Sequence, residues 1–251
     1  MADNQEKLQG TDINLTSSNK FLTWLSNFWY YNKWKVIVIT FFALVVVVGV
    51  VQMATKTNPD VEVTVATHTV YYQEHVDALE QTLNALLPTD INGDGKKSIQ
   101  LYRYKIYSEA ELKAANEAET DAAGKPVIYA DESYNKSQIE QYNSYIMTGQ
   151  CSVMIISEYL YNELTSRKSD EVLLKPMSEI FGDNLPEGVT ADGYGIKLKS
   201  TGAYKNLDAF RTLPDDSVIC IMRPFVMGGD RGGEKHEAAV EYFKAIVEFG
   251  N

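Results

Sequence analysis

The run VIVITFFALVVVVGVV, Val36 to Val51, carries no charge, and Thr40 is its only polar side chain. With Trp34 and Met53 at its ends it approaches the roughly 20 apolar residues needed to cross about 30 Å of hydrocarbon. So much Val and Ile could also form a buried core strand, but the run is too long for one strand and its flanks look like membrane interfaces. Residues 34–54 are therefore read as a transmembrane helix. Lys20, Lys33 and Lys35 precede or open the span, whereas Lys56 is the only nearby cation after it. The positive-inside bias then puts the N-terminus in the cytoplasm and the C-terminal domain outside the cell. Trp29, Tyr30, Tyr31 and Trp34 would form an aromatic belt. Phe21, Trp24, Leu25 and Phe28 recur at helical spacing, which predicts a short amphipathic helix lying in the interface within the tail, residues 1–33. Over thirty residues come before the apolar run, and Val51-Gln52-Met53-Ala54 makes a poor cleavage site. An uncleaved signal anchor is thus expected rather than a leader.

Charge divides unevenly about this helix. Four lysines against three carboxylates make the part before Val36 net +1, which leaves −12 beyond it out of the chain's −11. An acidic domain without Lys/Arg clusters excludes a nucleic-acid partner, because phosphate neutralisation needs clustered cations. The lipid bilayer is the partner that the sequence itself requires. Cys151 and Cys220 are too few for a disulfide scaffold and lack CxxC spacing. They could pair outside the cytoplasm, or pack as small hydrophobes.

Residues 55–60 read as a linker and 61–251 as an extracytoplasmic α/β domain. Val61 to Thr67 (VEVTVAT) alternates as a strand should. Val76, Leu79, Leu83 and Leu86 fall on one face of a helix that ends before Pro88, and Ser98 to Tyr107 (SIQLYRYKIY) returns as a strand. Ser108 to Lys125 is a weak helix or an acidic excursion, and Pro126 to Tyr129 a short extended stretch. Ile139, Tyr142 and Ile146 mark a helix stopped at Gly149. Ser152 to Ser157 is an apolar strand and Tyr159 to Thr165 a helix. Two strands follow, Gly195 to Lys199 and Ser217 to Met222, separated by a helix from about Tyr204 to Leu213. Val240, Phe243, Ile246 and Val247 face the core from a last helix. The alternation predicts an α/β sandwich around a mostly parallel sheet.

This order of elements resembles the first lobe of extracellular solute-binding proteins of bacterial ABC importers, a type II periplasmic-binding fold. The resemblance runs through Gln138-Ile139 to Met147-Thr148-Gly149-Gln150, then Val153-Met154-Ile155-Ile156 and Tyr159-Leu160. Leu173-Leu174-Lys175-Pro176-Met177 with Glu179-Ile180-Phe181 completes it, so that it covers Val61 to Phe181. It implies a binding domain working with a membrane transporter. The roughly 70 residues after Phe181 are too few for the second lobe with which such binders close on a solute. The whole chain also resembles single-span membrane proteins of clostridia-type bacteria, which implies the architecture and no activity.

His68, Tyr71 and Tyr72 follow the first strand, and Ser157 and Glu158 follow the third. Both groups sit where open α/β sheets place ligands, so these five are the candidate ligand-binding residues. Sixteen tyrosines add rings that could stack on sugars, although most should pack at the core edge.

Asp90, Asn92, Asp94, Lys96 and Ser98 match positions 1, 3, 5, 7 and 9 of a calcium loop, with Gly95 at position 6. Position 12 is Leu101, where a carboxylate should close the shell, and Lys97 stands at position 8. A turn using Asp, Asn and Gly for their backbone tolerance is the favoured reading. An ion held there would be a weak, structural Ca2+, and no other cofactor is implied. His68 and His75 could approach one another, but His236 lies far off and no HExxH spacing exists.

There is no GxSxG elbow or His-paired cysteine, so no catalytic residue is expected and the chain is read as a non-enzyme. Gly228 to Gly233 lacks the Lys-Ser/Thr of a phosphate loop. The function expected is a membrane-anchored binding or assembly protein, an accessory of a transporter. The alternative is a scaffolding subunit of a cell-envelope complex with no small-molecule ligand.

Overall fold

The computed structural model describes residues 19–55, 59–69, 72–117, 130–149, 151–166, 172–224 and 233–250. The chain divides into two compact units, Met1–Thr57 and Asn58–Asn251. The described part of the first is one helix, α1 (Asn19–Thr55), 37 residues. Its stretch Lys20–Met53 is long and apolar enough to cross a membrane. Phe41, Phe42, Leu44 and Val46 all stand exposed, so this part of the helix is apolar all round, the pattern of a segment buried in lipid or protein.

At about 1.5 Å per residue α1 is about 55 Å long, well beyond a bilayer's hydrocarbon. Where the sequence suggests a separate interfacial helix, the backbone runs on unbroken, since neither Gly nor Pro occurs from Asn19 to Val48. Phe21, Trp24 and Phe28 form a stacked ladder on it, with ring centroids 6.0 and 5.6 Å apart.

The second unit is a five-stranded sheet with helices on both faces. Its strands are β1 (Val61–Thr67), β2 (Ile99–Lys105), β3 (Val153–Ser157), β4 (Gly195–Lys197) and β5 (Ser217–Ile221). They lie in the order β2-β1-β3-β5-β4. β1 pairs parallel with β2 and β3, whereas β5 runs antiparallel to both β3 and β4. Half of the junctions are antiparallel, so the sheet is mixed rather than mostly parallel. The physical reason lies in the connection between β4 and β5. The expected helix there is only α7 (Gly202–Asn206) and a 3-10 turn at Phe210–Thr212, too little to carry the chain across the sheet as a parallel crossover does.

β1 alternates in sequence, yet six of its seven residues are buried, because neighbours on both sides and helices on both faces enclose it. One core joins Val63, Val65, Ile155 and Ile219 to α2 (Gln73–Ala85) and α8 (Glu234–Val247) through Leu79, Leu83, Phe243 and Ile246. The other joins Ala66, Met154, Ile156 and Cys220 to α4 (Glu132–Met147) and α5 (Glu158–Thr165) through Tyr142, Tyr145, Leu160 and Leu164. α3 (Glu109–Glu117) follows β2, and α6 (Met177–Phe181) precedes β4.

Helix ends obey their local chemistry. Asp131 caps α4 by accepting the Tyr134 N–H. Gly149 beyond its end takes a left-handed φ of 66°, which a side chain would disfavour. The cysteines are both buried and free. Cys151 Sγ lies 3.1 Å from the Thr64 hydroxyl, and burial pushes its thiol up to about 12. Pro126 to Tyr129 and Gly228 to Gly232 lie outside the described residues.

Candidate functional site at the carboxyl edge of the sheet

β1 and β3 end, and the oppositely directed β5 begins, along one edge, with Ser157 opposite Ser217. Residues just beyond β1 and β3 and just before β5 therefore meet there. On the face covered by α5, a cavity of about 530 Å3 opens among Glu158, Tyr161, Asp192, Lys197, Lys199 and Asp216, with Asp215 and Thr190 also on its wall. A volume of that order suits a small-molecule ligand.

Tyr161 is buried and lines the cavity. It donates to Asp192 and lies 2.8 Å from the Thr190 hydroxyl. Burial, then the Asp192 carboxylate, raises the Tyr161 pKa. Partial burial pushes the Asp192 carboxyl upward, but hydrogen bonds from Tyr161, Thr190 and the Tyr194 N–H outweigh it, and the net pKa is lowered. Asp192 is accordingly a fixed anion held by neutral donors, and Lys197 and Lys199 line the same cavity. Gly195 lets the wall close: a Cβ there would fall 2.6 Å from Val218 Cγ1 and 2.7 Å from Tyr161 Cε2.

Of the five residues expected to bind ligand, Glu158 lines this cavity. Ser157 lies behind it, fully buried, where it caps α5 by accepting the Leu160 N–H at 3.5 Å. His68 follows β1 as expected and meets a residue that sequence reasoning missed, with Nδ1 2.9 Å from Glu111 Oε1. Tyr72 is exposed and packs edge-on against His75, and it is not among the residues lining the cavity. Tyr71 lies outside the described residues. His68, Glu111 and Asp216 bring one ligand atom each to within 4.8 Å of one another.

The Asp90 to Ser98 loop is organised from within. Asp90 accepts the N–H groups of Gly93 and Gly95, Asn92 that of Asp94, and Asp94 that of Lys96. The Ser98 N–H is held at 2.8 Å by Asp60, which also accepts from Ile91 and Asn92. Lys97 donates to the carbonyls of Leu87 and Pro88. The loop's side-chain oxygens thus serve backbone donors, which is the work of a turn. Asp60, the residue that anchors it, had no motif to mark it.

In comparisons with known proteins, no family model, no curated protein and no solved structure matches the chain.

Proposed function

We propose that this protein is a membrane-anchored binding domain, held outside the cytoplasm by α1, that takes a small polar solute in the cavity at the carboxyl edge of its sheet. It would serve as an accessory to a transporter. The observation that carries this reading is the cavity itself: about 530 Å3, lined both by carboxylates, Asp192 and Glu158 among them, and by the lysines Lys197 and Lys199. Opposed fixed charges in one concave site suit a solute bearing both an ammonium and a carboxylate, such as an amino acid or short peptide. Support for a type II binding lobe comes from the order of elements. A strand-helix-strand unit is followed by a helix stopped at Gly149, a core strand, and the Leu174 to Met177 segment, which docks by a bridge to Met222 and a hydrogen bond to Gly193. The lysine excess before the apolar run supports the outward orientation.

The test is thermal unfolding of the full chain in lipid nanodiscs with amino acids, short peptides and neutral sugars. A zwitterionic solute at about 100 times its Kd should add about 2.7 kcal/mol, and Asp192→Asn should reduce that gain. No shift with any zwitterionic solute would overturn the reading.

A further inference from the structure

Three side chains from separate parts of the chain converge beside the cavity. His68 follows β1, Glu111 lies in the first turn of α3, and Asp216 directly precedes β5. Glu111 is locked in place by a reciprocal cap: its Oε2 accepts the Ser108 N–H at 2.7 Å, while its own N–H donates to Ser108 Oγ. That leaves Oε1 aimed at the imidazole. His68 Nδ1 is sealed from solvent and, among the described residues, has no hydrogen-bond partner. Glu111 Oε1 stands 2.9 Å away, an ion pair whenever the imidazole is protonated. One imidazole and two carboxylates from three separate segments thus offer ligand atoms that all lie within 4.8 Å of one another, close enough to share one cation.

We propose that this trio holds a divalent transition-metal cation of the zinc type, through His68 Nδ1, Glu111 Oε1 and an Asp216 carboxylate oxygen. One imidazole with two carboxylates is a recognised donor set for such ions. A cation about 2.1 Å from each atom of the 2.9 Å pair would see them at about 90°, and a small parting of the two side chains would open this toward the tetrahedral angle that zinc favours. Asp216, solvent-accessible and hinged on the turn before β5, closes the third position by a rotamer change. It also lines the solute cavity, so the open coordination positions would face that space. The site does not depend on the solute reading, since it binds metal with no solute present.

The experiment is calorimetric titration of ZnCl2 into the full chain in nanodiscs after chelator treatment. The expected result is one equivalent of zinc. Affinity should fall at least tenfold in His68→Ala, Glu111→Gln and Asp216→Asn and stay unchanged in His75→Ala and His236→Ala. Glutamine preserves the cap at position 111, and an unaltered tyrosine near-ultraviolet spectrum shows that each variant is folded. Three results would each overturn the proposal: no uptake by the wild-type chain, uptake that survives all three ligand substitutions, or uptake lost with His75 or His236.

Discussion

Asp60→Ala tests what organises the turn between α2 and β2. Asp60 is 3% exposed, and its carboxylate accepts three backbone N–H groups, from Ile91, Asn92 and Ser98, at 2.8, 3.0 and 2.8 Å. Hydrogen bonds to a charged acceptor contribute about 1.5–3 kcal/mol each. Three at the low end give about 4.5 kcal/mol, and water reaching the half-exposed loop amides recovers part of it, leaving a loss of about 3 kcal/mol. Asp60→Asn keeps one oxygen but turns an amide donor toward a backbone donor, so it should lose about half as much.

All three tryptophans lie in α1, so the unfolding of the α/β unit is followed by tyrosine near-ultraviolet dichroism of the full chain in urea. With a slope of about 2 kcal/mol per molar, the alanine variant's midpoint should fall by about 1.5 M. After chelator treatment has removed any transition metal, the wild-type midpoint should be the same with and without added millimolar calcium. A loss under about 1 kcal/mol for Asp60→Ala, or a calcium-dependent wild-type midpoint, would refute the view that the turn is held by side chains rather than by an ion.

Further outcomes follow from the buried polar groups and the close-packed cavity wall. Among the described residues the Tyr142 hydroxyl is buried without a hydrogen-bond partner, so Tyr142→Phe should leave stability unchanged or raise it by about 1 kcal/mol; a loss above that in urea unfolding would mean that the hydroxyl has a partner. Cys151 and Cys220 should resist a thiol reagent until the chain is denatured. Because burial raises both thiols, Cys151 from 9.0 to about 12, their contribution to stability is full below pH 9 and should decline as pH rises toward 12; a midpoint that is flat over that interval would contradict it. Gly195→Ala should cost about 1–3 kcal/mol by overpacking and displace Tyr161 from Asp192, which tyrosine dichroism would register; an unchanged spectrum and midpoint would count against that wall.

Much of the architecture was legible from local pattern. Val36 to Val51 declares itself by length and lack of charge, and Leu79, Leu83, Ile146 and Gly149 take the roles that their spacing assigns. The direction of β5 was not legible. Ser217 to Met222 is a continuous apolar run, buried on both faces, and such a run carries no signal of polarity. Its reversal follows from how little helix lies between β4 and β5. Nor does VEVTVAT disclose that Thr64 and Thr67 are buried, because that depends on neighbours distant in the chain.

At the sheet edge, the rule that ligands gather at the carboxyl ends of strands pointed to Glu158, which lines the cavity, and to His68, which lies beside Glu111. Ser108 and Glu111 carry a capping-box spacing that could have flagged Glu111 as a fixed carboxylate. Asp60, Asp192 and Asp216 acquire their roles only through contacts made by folding, and no spacing joins them to their partners.

The central claim, a membrane anchor with its acidic α/β unit outside, is tested most directly by labelling intact cells with a membrane-impermeant maleimide. Leu185 and Lys20 are both exposed, and the two native cysteines are buried. Leu185→Cys should label in intact, membrane-bound chain, whereas Lys20→Cys should label only after the membrane is opened. Labelling of Lys20→Cys but not Leu185→Cys in intact cells, or release of the Leu185→Cys chain into the soluble fraction, would contradict it.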